Sequence, residues 1–423
     1  MTTVTIPSST EQIDYADLYA RWEKGNWRAT ELDFTQDAHD WREKLSDDQR
    51  RGAIWLYSLF FHGEDSVADN LSPYIDAAPL EEQKYFLTTQ QVDEARHAIF
   101  FKRFVHEVCG LGDGSTGGSL RATTPQLNWG HRKVFGRLDE MAEELRRDRS
   151  KLQLAKAVTL YHVVIEASLA QSGQHMMEKV LEEHDVLPAF REGIRNVALD
   201  EQRHIAFGVR LLADLYREDP EPIQEAITSV IREVIGWTTV TGYPPDPSYT
   251  TSWGFTVADL YEEGARAQEA RLRAIGLHPE SIPSFPLPMD LPPRERGQRG
   301  ITLLEAGFLG ERNGPVRRDP EAVEILFDQM RRVADPRPVP AGTVLQYEFG
   351  DFEAWHLRLA GGATEASRGA APAPDLTLRF RSFDDFVDLS AGRADPRVLM
   401  LRRRLRPKGS LRLLAKLPRI FPG

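Results

Sequence analysis

The hydrophobic pattern changes character once along the chain. Up to about residue 275 the apolar positions fall in long stretches bounded by helix start and stop signals, and past about residue 340 they alternate with polar ones. Asp47 and Asp48 can cap a first long helix that runs through Glu64 and stops near Pro73. A second spans about Leu80 to Val108 and ends at Gly110. A Gly/Ser/Thr loop, Gly110 to Thr124, separates it from a connecting helix over roughly 129–148. A long helix follows from about Lys151 to Glu183. The next starts at Pro188, a favourable first helical position, and reaches about Arg217. Further helix is predicted over Pro222–Trp237 and Thr256–Ile275, and residues 1 to about 47, with Trp22, Trp27 and Trp41 among acids, read as an N-terminal wrap.

The first domain, 1–277, is therefore predicted to be all helix. Pro279, Pro283, Pro286, Pro288, Pro292 and Pro293 mark 278–319 as a Pro/Gly-rich surface linker. Beyond it Val344–Phe349, Trp355–Leu359 and Leu376–Phe380 alternate at period two, so 320–423 is predicted to be a smaller α+β domain.

Composition adds little beyond exclusion. The chain has 423 residues, 41% of them apolar, and a mean hydropathy of -0.43. No run of 18 apolar residues occurs, and the N-terminus has no charged region followed by an apolar one, so a cytoplasmic protein is expected. One cysteine, Cys109, permits neither an internal disulfide nor a thiolate metal site, and reads as a small apolar residue. The net charge of -11 is uneven. Ten Arg or Lys against one acid, Asp395, put residues 391–423 at +9 and everything before them at -20, which makes nucleic acid an unexpected partner for the main body.

The chemistry sits in a duplicated hexapeptide. Val92-Asp93-Glu94-Ala95-Arg96-His97 and Leu199-Asp200-Glu201-Gln202-Arg203-His204 both read apolar-Asp-Glu-x-Arg-His. Residues three apart share a helix face, so each copy aims a carboxylate and an imidazole at one point. With 11 histidines and 64 acids, chance supplies about 1.7 such pairs, and Glu353…His356, in strand-like sequence where the two residues face apart, reads as accidental. Chance does not readily supply two copies sharing the flanking Asp and Arg, each preceded by a further acid in apolar surroundings. Glu64 lies 30 residues before Glu94 and Glu166 lies 35 before Glu201. These gaps suit two helical hairpins, hence a four-helix bundle with four Glu and two His at its centre. That is the ligand set of ferritin-like dinuclear carboxylate proteins, and it suits iron or manganese better than zinc. Carboxylates placed so deep are costly unless a cation meets them. Asp93 and Asp200 are candidate acceptors for the N–H of the opposite histidines, His204 and His97, the alternative being surface salt bridges with Arg96 or Arg203.

Glu64, Glu94, His97, Glu166, Glu201 and His204, with the Trp-rich N-terminus, resemble the small subunit of ribonucleotide reductase over most of residues 15–275, and more closely its offshoot, the ligand-binding oxidases. The resemblance implies a Mn/Fe or di-iron site held by those six residues, O₂ as oxidant, a bound long-chain fatty acid, and a Tyr–Val ether cross-link between the residues standing here as Tyr161 and Val67. Glu94 and Glu201 are the expected contacts to both ions. It further implies a homodimer and an electron donor it does not name. Phe101 stands where a reductase usually places its radical tyrosine, and Val197 where the arylamine N-oxygenases add a histidine. The rival readings are a reductase small subunit and a non-catalytic lipid or metal carrier.

The succession Trp355-x-Leu357-x-Leu359, Asp375-Leu376-Thr377-Leu378, Phe383-Asp384-Asp385-Phe386 and Gly409-x-Leu411, closed by a terminal apolar helix, resembles the sterol-carrier-protein type of lipid-binding domain. That resemblance implies a hydrophobic, lipid-like ligand. The last segment, Leu411–Phe421, is basic and amphipathic; it either closes the lipid pocket or makes peripheral contact with an anionic membrane.

Overall fold

A computed structural model describes residues 10, 13–282, 287–312, 314–360 and 364–421. The chain forms two compact units, Met1–Pro279 and Glu280–Gly423.

In the first unit, α1 (Tyr15–Lys24) and α2 (Thr35–Glu43) form the N-terminal wrap. α3 (Asp47–Asn70) begins with a capping box from Ser46 and Gln49, and α4 (Ser72–Ala77) restarts the chain with Pro73 in its first turn. α5 (Glu81–Glu107) returns antiparallel to α3. The Gly-rich stretch expected as plain loop contains α6 (Thr116–Thr123), because Ser115 accepts from the Gly118 N–H and caps it. α7 (Trp129–Arg147) connects to the second hairpin. There α8 (Lys151–Val158), a π-helical segment (Thr159–Ala170) and α9 (Gln171–His184) form one continuous rod, answered by α10 (Pro188–Glu218). α11 (Pro220–Thr241), α12 (Ser248–Thr251) and α13 (Val257–Ile275) cover the outside.

The wrap has a structural task. α10 starts at Leu187 in a left-handed conformation with no side-chain cap of its own. Asp37 of α2 accepts from the Ala189 and Phe190 N–H groups at 3.1 and 2.7 Å, and Asp40 accepts from Leu187 N–H at 3.1 Å. Two buried carboxylates from α2 thus serve the positive end of the helix that carries Glu201 and His204. Next to them Phe100, Phe104, Tyr57 and Phe190 pack an aromatic core, with Phe104 and Phe190 centroids 4.1 Å apart. Gly193 lets α10 approach it, since a Cβ there would lie 2.2 Å from the Phe100 ring.

In the second unit the stretch expected as linker contains α14 (Pro293–Glu305), with Arg296 and Leu303 buried. Pro293 at the first turn loses no needed hydrogen bond, so the proline pair opens a helix where an extended linker is expected. α15 (Pro320–Val333) then packs on a five-stranded sheet of order β3-β2-β1-β4-β5: β1 (Thr343–Phe349), β2 (Phe352–Leu359), β3 (Glu365–Arg368), β4 (Leu376–Phe380) and β5 (Leu405–Gly409). β1 and β4 run parallel and the other pairs antiparallel. α16 (Phe383–Ser390) joins α15 on one face, where Phe327 stacks on Trp355 at 4.3 Å and on Phe386 at 5.5 Å. α17 (Pro396–Leu401) precedes β5. The single terminal helix expected is two short turns, α18 (Leu411–Leu414) and α19 (Leu417–Ile420), because Pro418 supplies no N–H to continue the first. His356 lies in β2 and its Nδ1–H donates to the Gly369 carbonyl, so the Glu353…His356 pair is no ligand pair.

Candidate metal centre

α3, α5, the π-helical segment and α10 bring Glu64, Glu94, His97, Glu166, Glu201 and His204 together, all buried. One group, Glu64, Glu94, His97 and Glu201, and a second, Glu94, Glu166 and His204, each present ligand atoms within 4.8 Å of one another. Glu94 belongs to both and sits where a shared carboxylate has to sit. Glu201 also reaches both histidines, its oxygens 3.5 Å from His97 Nδ1 and 3.4 Å from His204 Nδ1.

The histidine tautomers follow from their outer partners. Asp200 Oδ2 lies 3.1 Å from His97 Nε2, and Asp93 Oδ2 lies 3.1 Å from His204 Nε2. A carboxylate can only accept, so each Nε2 carries a proton and each Nδ1 is the ring atom that faces the centre. Arg203 bridges both aspartates and Arg96 pairs with Asp93, so these arginines join the buried network. Trp27 donates to Asp200 at 2.8 Å and Trp22 to Asp93 at 2.9 Å. Held this way, the Asp200 carboxyl stays far below the usual carboxylate range: burial pushes it up, and the bonds and charges of His97, Arg203 and Trp27 outweigh that.

The inner atoms are poorly satisfied without a cation. His97 Nδ1 faces Glu64, Glu94 and Glu201 oxygens at 3.2, 3.6 and 3.5 Å. His204 Nδ1 faces Glu94, Glu166 and Glu201 oxygens at 3.3, 3.6 and 3.4 Å. His204 Nδ1, Glu166 Oε2 and Glu201 Oε2 are buried with no hydrogen-bond partner. Spacings slightly above about 3 Å suit neighbouring ligands around an octahedral ion whose bonds are about 2.1 Å. The donor set therefore fits two hard or borderline divalent cations.

Electrostatics agree. Burial pushes the Glu64 carboxyl up to about 8, with His97 opposing, and pushes Glu166 and Glu201 upward with neighbouring carboxylates adding to it. Glu94 goes the other way: burial raises it, but the two imidazoles facing it win.

The π-helical segment sets the third wall. Its backbone bonds join residues five apart, as in the Gln171 N–H to Glu166 carbonyl bond, so Tyr161 and Glu166 stack one above the other. The Tyr161 hydroxyl donates to Glu94 Oε1 at 2.9 Å, and burial, reinforced by the adjacent carboxylates, keeps it protonated. Val67 is buried on α3, one turn beyond Glu64. Phe101 lies in the aromatic core, stacked on Phe60.

Two residues carry no motif and are invisible in the sequence. Gln90 donates to Glu166 Oε1 at 2.8 Å and to Glu94 Oε1 at 3.3 Å, and its carbonyl oxygen accepts from His162 Nε2 at 3.2 Å. His162 is wholly buried, which drives its pKa down to about 3 and keeps it neutral. Gly208 makes room for that side chain, a Cβ there lying 2.3 Å from the His162 Cβ and 2.4 Å from its ring.

The family model for the ribonucleotide reductase small chain matches residues 9–237. The chain belongs to this family. An SCP-2 sterol transfer family model matches residues 331–422. Among solved structures, the chain resembles an R2-like ligand-binding oxidase from Sulfolobus acidocaldarius at 27% identity, with a TM-score of 0.52, covering 64% of this chain and 94% of that one. Two variants of an R2-like ligand-binding oxidase, each with an anaerobically reconstituted Mn/Fe cofactor, match at 24% identity with TM-scores of 0.54 and 0.55, over 62% of this chain and 94% and 93% of theirs. In the second unit, the sterol-transfer match covers the five-stranded sheet and the helices α16 to α19. Among the described residues no helix is long and apolar enough to cross a membrane.

Proposed function

We propose that the chain is an O₂-consuming dinuclear metal oxidase of the ligand-binding type, acting on a hydrophobic, acyl-chain-like molecule. The observation that carries the reading is the convergence of two imidazole Nδ1 atoms and four glutamates on one buried centre, where His204 Nδ1, Glu166 Oε2 and Glu201 Oε2 have no hydrogen-bond partner. Glu64, Glu94, His97 and Glu201 would hold one ion, Glu94, Glu166, His204 and Glu201 the other. Bound there, a Mn/Fe or Fe/Fe pair supplies the reduction of dioxygen and hence oxidising equivalents.

The chain's own residues do the rest. Asp93 and Asp200 hold the Nε2 protons, so each ring presents Nδ1 to the centre, where a cation would take the place of the inner proton. Tyr161 holds its hydroxyl proton against Glu94, within the cluster and away from water. We assign Tyr161 and Val67 as internal oxidation partners. An ether between the Tyr161 oxygen and a Val67 carbon forms by loss of one hydrogen from each, two electrons and two protons passing to dioxygen. The similarity to ligand-binding oxidases and the sterol-transfer match support a lipid as external ligand, with a long-chain fatty acid as the candidate.

As a reductase small subunit the chain needs a radical-bearing side chain. Phe101 offers none, and Tyr161 is the phenol that is hydrogen-bonded into the cluster. The test is peptide mass spectrometry on protein loaded with Mn(II) and Fe(II), before and after air. The expected result is a loss of two hydrogens in linked peptides containing Tyr161 and Val67, absent in Tyr161→Phe. Full metal occupancy without that loss removes the cross-link from the account.

A further inference from the structure

The second unit carries a cationic surface that the oxidase reading does not use. α17 ends on Leu401, 85% exposed, and α18 begins on Leu411, 74% exposed; β5 lies between them. β5 is an edge strand, and Arg406 and Lys408 project from it into solvent. Of the tail's guanidinium groups, Arg393 and Arg404 meet carboxylates, those of Asp388 and Asp385. Arg397, Arg402, Arg403, Arg406, Lys408 and Arg412 form no ion pair among the described residues, and the one acid in residues 391–420, Asp395, is engaged in capping α17. Next to Arg406 in the sheet, Arg379 is neutralised by Glu348.

A folded domain gains nothing from leaving two leucines in water among six uncompensated cations. An anionic bilayer satisfies both: headgroups meet the cations while the leucines enter the apolar layer. Nucleic acid fits less well, because residues 391–420 contain no aromatic ring on which a base could stack. Pro407 on the free edge of β5 also disfavours a partner that adds a strand.

We propose that the α17–β5–α18 surface docks this protein on an anionic lipid bilayer, placing the lipid-binding unit at the source of its ligand. The proposal is independent of the metal centre, so metal-free and metal-loaded protein should behave alike.

The experiment is flotation of the full chain with phosphatidylcholine vesicles, with and without phosphatidylglycerol. Binding is expected only to the anionic vesicles, and it should weaken with salt. Arg402→Ala, Arg403→Ala and Arg406→Ala together should lower the partition coefficient about five-fold per cation removed, so roughly a hundred-fold. Leu401→Ser with Leu411→Ser leaves the charge unchanged and alters side chains already in water. This pair should fold as wild type by circular dichroism and lose at least ten-fold in partitioning. Equal binding to neutral and anionic vesicles, or anionic binding that survives both variants, overturns the proposal. If the leucine variant binds like wild type while the arginine variant does not, the leucines do not enter the apolar layer, and the insertion on which the docking is argued is overturned.

Discussion

Removing the metals should cost this protein stability, and the amount can be worked from the cluster. His204 Nδ1, Glu166 Oε2 and Glu201 Oε2 are buried without partners, and such groups cost about 1–3 kcal/mol each. Two bound cations should therefore stabilise the first unit by about 3–9 kcal/mol relative to the metal-free state. For a unit of this size about 1 kcal/mol moves the midpoint by about 2 °C, so metal loading should raise Tm by roughly 6–18 °C. The assay is thermal unfolding followed by helical circular dichroism, on chelator-stripped protein and on protein loaded anaerobically with Fe(II). Glu166→Leu sharpens it, because it removes one orphaned oxygen and one like charge. The metal-free variant should melt at or above metal-free wild type, and it should lose most of the metal-dependent rise. A shift below about 2 °C at two bound ions, or a metal-free Glu166→Leu protein several degrees less stable than wild type, refutes the reasoning.

Other expectations rest on particular contacts. Gln90→Leu removes the donor shared by Glu94 and Glu166 and should weaken the second metal position about 10–100-fold in a metal titration, leaving the first nearly unchanged. His131 is buried on α7 against the Leu59 carbonyl, and burial lowers its pKa to about 3. The unfolded chain takes up that proton below about pH 6.5, so stability is lost as pH falls through the window from about 6.5 to 3. By pH 5 the loss should reach about 2 kcal/mol, visible as a smaller acid-induced drop in Tm for His131→Asn than for wild type. Parallel pH profiles would contradict it. Gly193→Ala puts a methyl into the Phe100 ring and should destabilise the first unit by about 1–3 kcal/mol in chemical denaturation.

Much of the bundle was legible because its helices carry strong end signals and its chemistry is duplicated. Two identical local patterns, each preceded by an acid in apolar sequence, say that two hairpins meet at one centre. The orientation of His97 and His204 was partly legible too, since Asp93 and Asp200 sit one residue before the glutamates and face across the pair. What stayed hidden lacks a local signature. Gln90 is an ordinary glutamine until the rod bearing Glu166 packs against it, and His162 acquires its neutral state only from burial. The π-helical register of Thr159–Ala170 is a backbone state that no residue pattern announces, yet it decides that Tyr161 and Glu166 share a face. Pro292 and Pro293 misled in the other direction, reading as linker where they open a helix.

Whether the chain holds a pair of metal ions that consume dioxygen is decided by anaerobic titration with Fe(II) and Mn(II) followed by an oxygen electrode. Two ions per chain and O₂ uptake by the loaded protein are expected, with uptake abolished in Glu94→Ala because that residue serves both positions. One ion or none at saturation, or two ions with no O₂ consumed, would contradict the oxidase reading.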